Sequence, residues 1–169
     1  VVLLMNMGGP DSEAAVAPFL TNLFLDPEIL PLPLPGFLRS FVARRIAAKR
    51  APKVIPRYRL LGGKSPQREL TERQARGLEA RLNTSDHPPP APSPQGRGGS
   101  SPPWRVLVAM RYWHPFTEEA LEEVAALRPV RLVALSLYPH FSRAVGGSSV
   151  GELRRCLRLR PLDCRVAVV

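Results

Sequence analysis

Three short strings hold most of the residue types able to do chemistry, and each follows a β-rich run: Met7-Gly8-Gly9-Pro10-Asp11, Arg111-Tyr112-Trp113-His114-Pro115 and Tyr138-Pro139-His140-Phe141-Ser142. Glycines, aromatics, an arginine, a methionine and two histidines suit a flat, partly anionic aromatic ligand better than a phosphate. The glycine pair lacks both the G-x-G-x-x-G spacing of dinucleotide sites and the glycine-lysine ending of a P-loop. It reads as a tight strand-to-helix turn. His114 and His140 stand in strand-end loops, where a histidine serves either as a ligand or as a hydrogen-bonding residue. No pair of histidines or carboxylates has a metal-ligand spacing such as H-E-x-x-H, and Cys156 and Cys164 make no C-x-x-C, so no metal site is assigned.

Charge is the next feature. Residues 44–59 contain seven basic side chains (Arg44, Arg45, Lys49, Arg50, Lys53, Arg57, Arg59) and no acid. A solvated helix face, a surface for carboxylates or anionic lipid, and a nucleic-acid contact all remain open for this stretch. Nucleic-acid modules interleave stacking aromatics with their charges, and here only Tyr58 does so. Residues 27–38, PEILPLPLPGFL, are apolar and stiffened by proline, and they lead directly into the cations. That arrangement fits either a peripheral membrane contact across residues 27–59 or a buried connection.

The strings need elements to position them. Strands are expected over residues 1–6, 104–111, 130–138 and 165–169, with helical periods between them. Val16, Phe19, Leu20, Leu23 and Phe24 fall on one helical face, with Pro18 expected to bend its first turns. Ser65 as N-cap and Pro66 as first helical residue open a second helix that runs to about residue 82. Thr117 caps a third, with Leu121, Val124 and Ala125 inward, and a fourth begins near Ser148 and carries Leu153 and Leu157. This alternation is the signature of βαβ units, hence an α/β fold with a parallel sheet flanked by helices. Ligands of such sheets sit beyond the carboxyl ends of the strands, where the three strings lie.

Composition sets the outer bounds. A chain of 169 residues with 44% hydrophobic content and a formal net charge of +10 is one domain with a packed core, not a disordered basic tail. Twenty prolines are more than twice the usual share of about 5%. Seven of them, with three glycines, fall in residues 83–103, expected to be a flexible insertion between the parts 1–82 and 104–169. Two cysteines fit a reducing compartment. No apolar run approaches the ~18 residues of a membrane span. Residues 1–5 open into the glycine loop without a basic leader and read as a strand, and the absence of a first Met implies upstream sequence.

Four strings in order, LLMNMGGPDSEAAVAPFLTNLFLDPEIL, RAPKVIPRYRLLGGKSP, AMRYWHP and SLYPHFS with a nearby GGSS, resemble the ferrochelatases in wording and spacing, over most of the chain outside residues 83–103. The resemblance implies a two-lobed fold of Rossmann-like halves with a porphyrin between them, this chain matching the N-terminal half. It also implies insertion of ferrous iron into protoporphyrin IX to give protohaem in haem synthesis, by a cytoplasmic enzyme peripheral to the inner membrane. Porphyrin-contacting positions carry over onto Met7, Arg50, Tyr58, Ser65, Arg111, Tyr112 and Tyr138. Met7 stands in Asn-Met-Gly-Gly, where coproporphyrin-using relatives resemble Ala-Tyr-Gly-Thr, so protoporphyrin is expected. The family's catalytic His in Ser-Ala-His-Ser and its acidic partner have no counterpart string here, so no catalytic residue is assigned and weak porphyrin binding without turnover is expected. Lys64 replaces the third glycine of Gly-Gly-Gly-Ser-Pro, and Ala144-Val145-Gly146 a polar stretch. Arg143 stands where cluster-bearing members have Cys, so no iron–sulfur cluster or other resident cofactor is expected. The competing readings are a basic α/β module on nucleic acid or anionic lipid, and a chelatase for another tetrapyrrole and metal.

Overall fold

The computed structural model of the chain describes residues 1–84, 103–138, 140 and 142–169. Four strands, β1 (Val2–Asn6), β2 (Val106–Met110), β3 (Arg131–Ser136) and β4 (Arg165–Val168), pair in parallel in the order β2-β1-β3-β4. Each is shorter at its ends than the sequence expectation, β2 and β3 by three residues, although several flanking residues still bond to the neighbouring strand, among them Arg105, Arg111 and Leu137. The α/β class and the parallel sheet are as the periodicity dictates.

Side chains alternate across β1 with period two, as a doubly covered strand requires. Leu3 and Met5 join Leu107, Ala109, Leu132 and Ala134 against α4 (Thr117–Leu127) and α5 (Ser148–Leu159). Val2 and Leu4 face the other way, against Ala75, Leu78 and Leu82 of α3 (Gln67–Leu82). A third cluster is built by α1 (Val16–Leu25) and α2 (Gly36–Leu60) with Met7, Tyr112 and Trp113, residues that follow β1 and β2. The α1–α2 pair therefore covers the carboxyl ends of those strands.

The 25-residue helix α2 reaches well beyond the helix face left open for residues 44–59, and it contains Pro52 and Pro56. Each proline removes one helical hydrogen bond. Burial supplies the compensation: Ala43, Ala47 and Ala51, spaced four apart, are all buried and let α2 lie close against α1. Pro18 sits in the first turn of α1, where its missing N–H has no helical acceptor to lose, and the helix runs through it. Both expected caps lie one residue off. Pro66 is the N-cap of α3, while the Ser65 hydroxyl accepts from the Gln67 N–H at 3.3 Å. Phe116, not Thr117, precedes α4, and the Glu119 carboxylate accepts from its N–H at 2.7 Å. Helix α5 begins at Ser148 as expected, directly after a π turn at Arg143–Gly147.

Of the stretch 83–103, residues 85–102 lie outside those described. Its two ends are tied together: the Asn83 carboxamide accepts from the Trp104 N–H at 2.8 Å and donates to the Trp104 carbonyl at 3.0 Å.

Candidate functional site at the carboxyl ends of the strands

Backbone bonds bring the strand-end strings together. The Arg111 N–H donates to the Asn6 carbonyl at 2.9 Å, the Tyr112 N–H to the Met7 carbonyl at 3.0 Å, and the Leu137 N–H to the Met5 carbonyl at 3.0 Å. Asn6 fixes the turn from its side chain, its Oδ1 accepting from the Met7 N–H and from Gln67 Nε2, each at 2.8 Å. Its Nδ2 donates to the buried Thr71 hydroxyl of α3 at 3.0 Å.

The two glycines serve different ends. Gly8 has φ +82°, a left-handed conformation that side chains disfavour. Gly9 makes room for Ser65, since a Cβ there would stand 2.4 Å from the Ser65 hydroxyl oxygen. The Ser65 N–H donates to the Pro10 carbonyl at 2.8 Å. In the turn before it, positive φ falls on Gly62 and Gly63 and not on Lys64, so the lysine that replaces a third glycine is unstrained. Lys64 pairs with Glu69.

Tyr112 is the buried centre of the rim. Its ring packs in the α1–α2 cluster with Met7 and Tyr58, and its hydroxyl donates to Asp26 Oδ2 at 2.8 Å. The Arg111 guanidinium lies 5.0 Å over the same ring. Its Nη2 donates to Asp26 Oδ2 at 3.0 Å and its Nε to the Ser148 hydroxyl at 2.8 Å. Ser148 in turn donates to Asp26 Oδ2, and the Glu28 N–H donates to Oδ1 at 2.9 Å. Asp26, 4% exposed, is the one charged residue among the described residues that is fully buried. Burial opposes its ionisation, but the hydrogen bonds from Ser148, Glu28 and Tyr112 and the Arg111 charge outweigh that and hold its carboxyl below the usual range. Burial above all pushes the Tyr112 phenol far up.

Tyr138 has a buried hydroxyl without a partner among the described residues. Burial first, then the proximity of Tyr112, raises its phenol, and nearby Ser149 offsets part of this without making a hydrogen bond of good geometry. Arg50 lies 5.5 Å over the Phe24 ring. Tyr58, the aromatic among the cations, is half-buried and packs against the α1–α2 cluster. A cavity of about 280 Å³ opens beside the Asp26 group, lined in part by Asn22, Asp26, Arg111, Thr117, Glu118 and Glu152.

The two strand-end histidines differ in setting. His114 Nδ1 meets the Glu119 carboxylate at 2.8 Å, and its ring stands edge-on to Trp113 and Phe116, a structural role. His140 is exposed. Among the described residues, Glu118, Glu152 and Cys156 bring ligand atoms within 4.8 Å of one another. Arg155 already bridges the two carboxylates at 2.6 and 2.8 Å, and burial pushes the Cys156 thiol up to about 11. The group is charge-paired as it stands.

The family model for ferrochelatase matches residues 1–169. The chain belongs to the ferrochelatase family. It is 52% identical over 156 residues to a ferrochelatase of Geotalea uraniireducens, covering 92% of this chain and 43% of that protein. With the ferrochelatase of Geotalea daltonii it shares 50% over 168 residues, 99% of this chain and 47% of the relative. With that of Prochlorococcus marinus it shares 46% over 162 residues, 96% of this chain and 37% of the relative. The chain thus spans less than half the length of these curated relatives.

Within this ferrochelatase chain, Met7, Tyr58 and Tyr112 share one cluster, Arg111 and Tyr138 flank Tyr112, and Arg50 sits at the cluster's edge over Phe24. Ser65 stands apart from them, against Gly9. Sequence reasoning missed Asp26 and Asn6 and took Ser148 only for a helix start. The available signal for Asp26 was a carboxylate directly after an apolar helix and before Pro27, in LFLDPEIL.

Proposed function

We propose that the chain forms one wall of the porphyrin cleft of a ferrochelatase, a metal chelatase of the lyase class that inserts ferrous iron into protoporphyrin IX to give protohaem. What supports the reading is that the strings matching the family are also the ones gathered on one rim, beyond the carboxyl ends of three adjacent parallel strands.

The chemistry asks two things of such a wall. The macrocycle must be bent so that its nitrogens meet the incoming iron and its two pyrrole protons leave, which a rigid apolar surface favours by binding the distorted ring better than the flat one. Met7 and Tyr58 supply that surface over the buried Tyr112. The propionates need a cation. Arg50, used by no ion pair among the described residues, takes that role, whereas Arg111 spends two donors inside the protein. The Tyr138 hydroxyl, without a partner among the described residues, is a polar contact offered to the ligand. We assign no proton acceptor and no iron ligand to this chain.

Titrating the chain with protoporphyrin IX tests the reading. A shifted Soret band is expected, with affinity reduced roughly tenfold in Arg50→Ala, the scale of one charge-assisted hydrogen bond. A porphyrin spectrum unchanged at high protein concentration overturns it.

The same reading includes a cytoplasmic protein touching a membrane surface through residues 27–59. Phe37 and Phe41 of α2 are 74% and 64% exposed beside the cationic run. Among the described residues no helix is long and apolar enough to cross a membrane.

A further inference from the structure

A single carboxylate oxygen, Asp26 Oδ2, receives three donors from two other parts of the chain: the Arg111 guanidinium, the Tyr112 hydroxyl and the Ser148 hydroxyl. Asp26 follows the last residue of α1, Arg111 and Tyr112 follow β2, and Ser148 opens α5. We infer that Asp26 is a positioning residue for the porphyrin wall, setting where the Arg111–Tyr112 pair stands; this rests on the proposed porphyrin reading.

Without Asp26, the Tyr112 hydroxyl, at the end of a buried ring, loses a charged acceptor and keeps only Ser148, at 3.3 Å. The Arg111 side chain, 21% exposed, would be free to swing into the adjoining cavity toward Glu118 and Glu152, both of which line it. With Asp26 in place the guanidinium is held 5.0 Å over the Tyr112 ring, and both side chains are fixed by the one carboxylate oxygen. The Glu28 amide on Oδ1 keeps the carboxylate itself from rotating. A carboxylate so nearly saturated by protein donors has little capacity left to act on a ligand directly.

The test compares Asp26→Asn, Arg111→Ala and the double variant, with Val124→Ala, in the α4–α5 core cluster apart from Met7, Tyr58 and Tyr112, as a control for destabilisation alone. Two readouts are taken on folded samples: protoporphyrin affinity from the Soret band, and the 15N–1H signal of the Arg111 Nε–H, which is shielded by its bond to Ser148. The expected result is loss of the protected Nε–H signal in Asp26→Asn, with affinity down roughly tenfold. Arg111→Ala should lose a similar factor, the double variant no more than either single one, and Val124→Ala nothing. A retained Nε–H signal in Asp26→Asn, additive losses in the double variant, or an equal loss in Val124→Ala overturns the inference. A wild-type chain that fails to perturb protoporphyrin counts against the proposed function instead, and the Nε–H signal then decides the positioning role by itself.

Discussion

Gly9 leaves no room for a side chain, because the Ser65 Cβ stands 2.5 Å from where a Gly9 Cβ would be. Gly9→Ala should therefore cost about 1–3 kcal/mol through overpacking. Adding Ser65→Gly should recover part of the loss, a coupling measurable by urea unfolding of the two single variants and the double one. Both residues were visible in the sequence, one as a turn glycine and the other as a helix cap, but their contact was not, since some fifty positions of chain separate them. Tyr112 repeats the point. Its place after a strand was legible, yet its burial and its Asp26 partner depend on where α1 ends.

Helix ends and helix contacts carry the next level. Arg128 closes α4 at φ 45°, the only left-handed non-glycine among the described residues. Arg128→Gly should raise stability by about 0.5–1 kcal/mol, read as a higher thermal midpoint. On α2, Ala47→Leu should cost about 1–3 kcal/mol because it forces the helix away from α1, while Ala48→Leu on the exposed face should cost far less. Asp26 joins α1 to α5 and brings a pH dependence. Its folded-state carboxyl is depressed, so its contribution is complete above the unfolded value of about 3.9 and lost as pH falls through the lower folded value. Asp26→Asn should destabilise by about 3 kcal/mol at pH 7, the scale of breaking a buried pair, and the gap should narrow below about pH 4. Denaturant melts at pH 7 and pH 3 check both.

At the scale of the whole molecule, seven of the 24 basic side chains of a chain with formal net charge +10 fall in residues 44–59 of α2, downstream of the exposed Phe37 and Phe41. Sedimentation with vesicles containing anionic lipid should show binding that weakens as salt rises and falls further in the Phe37→Ser, Phe41→Ser double variant. Binding that ignores both salt and the two aromatics would remove the membrane contact from the proposal. In the sheet, β1 has neighbours on both sides and helices on both faces, which accounts for its apolar VLLMN.

Strands, four of the five helices among the described residues and the family came from the residues alone, because alternation with period two, amphipathic spacing and strings of consecutive residues are local properties. The course of α2 did not, since its two prolines hide a helix that is stabilised by packing against α1 rather than by its own propensity. Nor did the Asp26 group, whose four side chains come from three separate segments of the chain. Only the right-handed return of the chain through a parallel sheet brings those segments to one edge, and a buried carboxylate is tolerated only where such distant donors meet it.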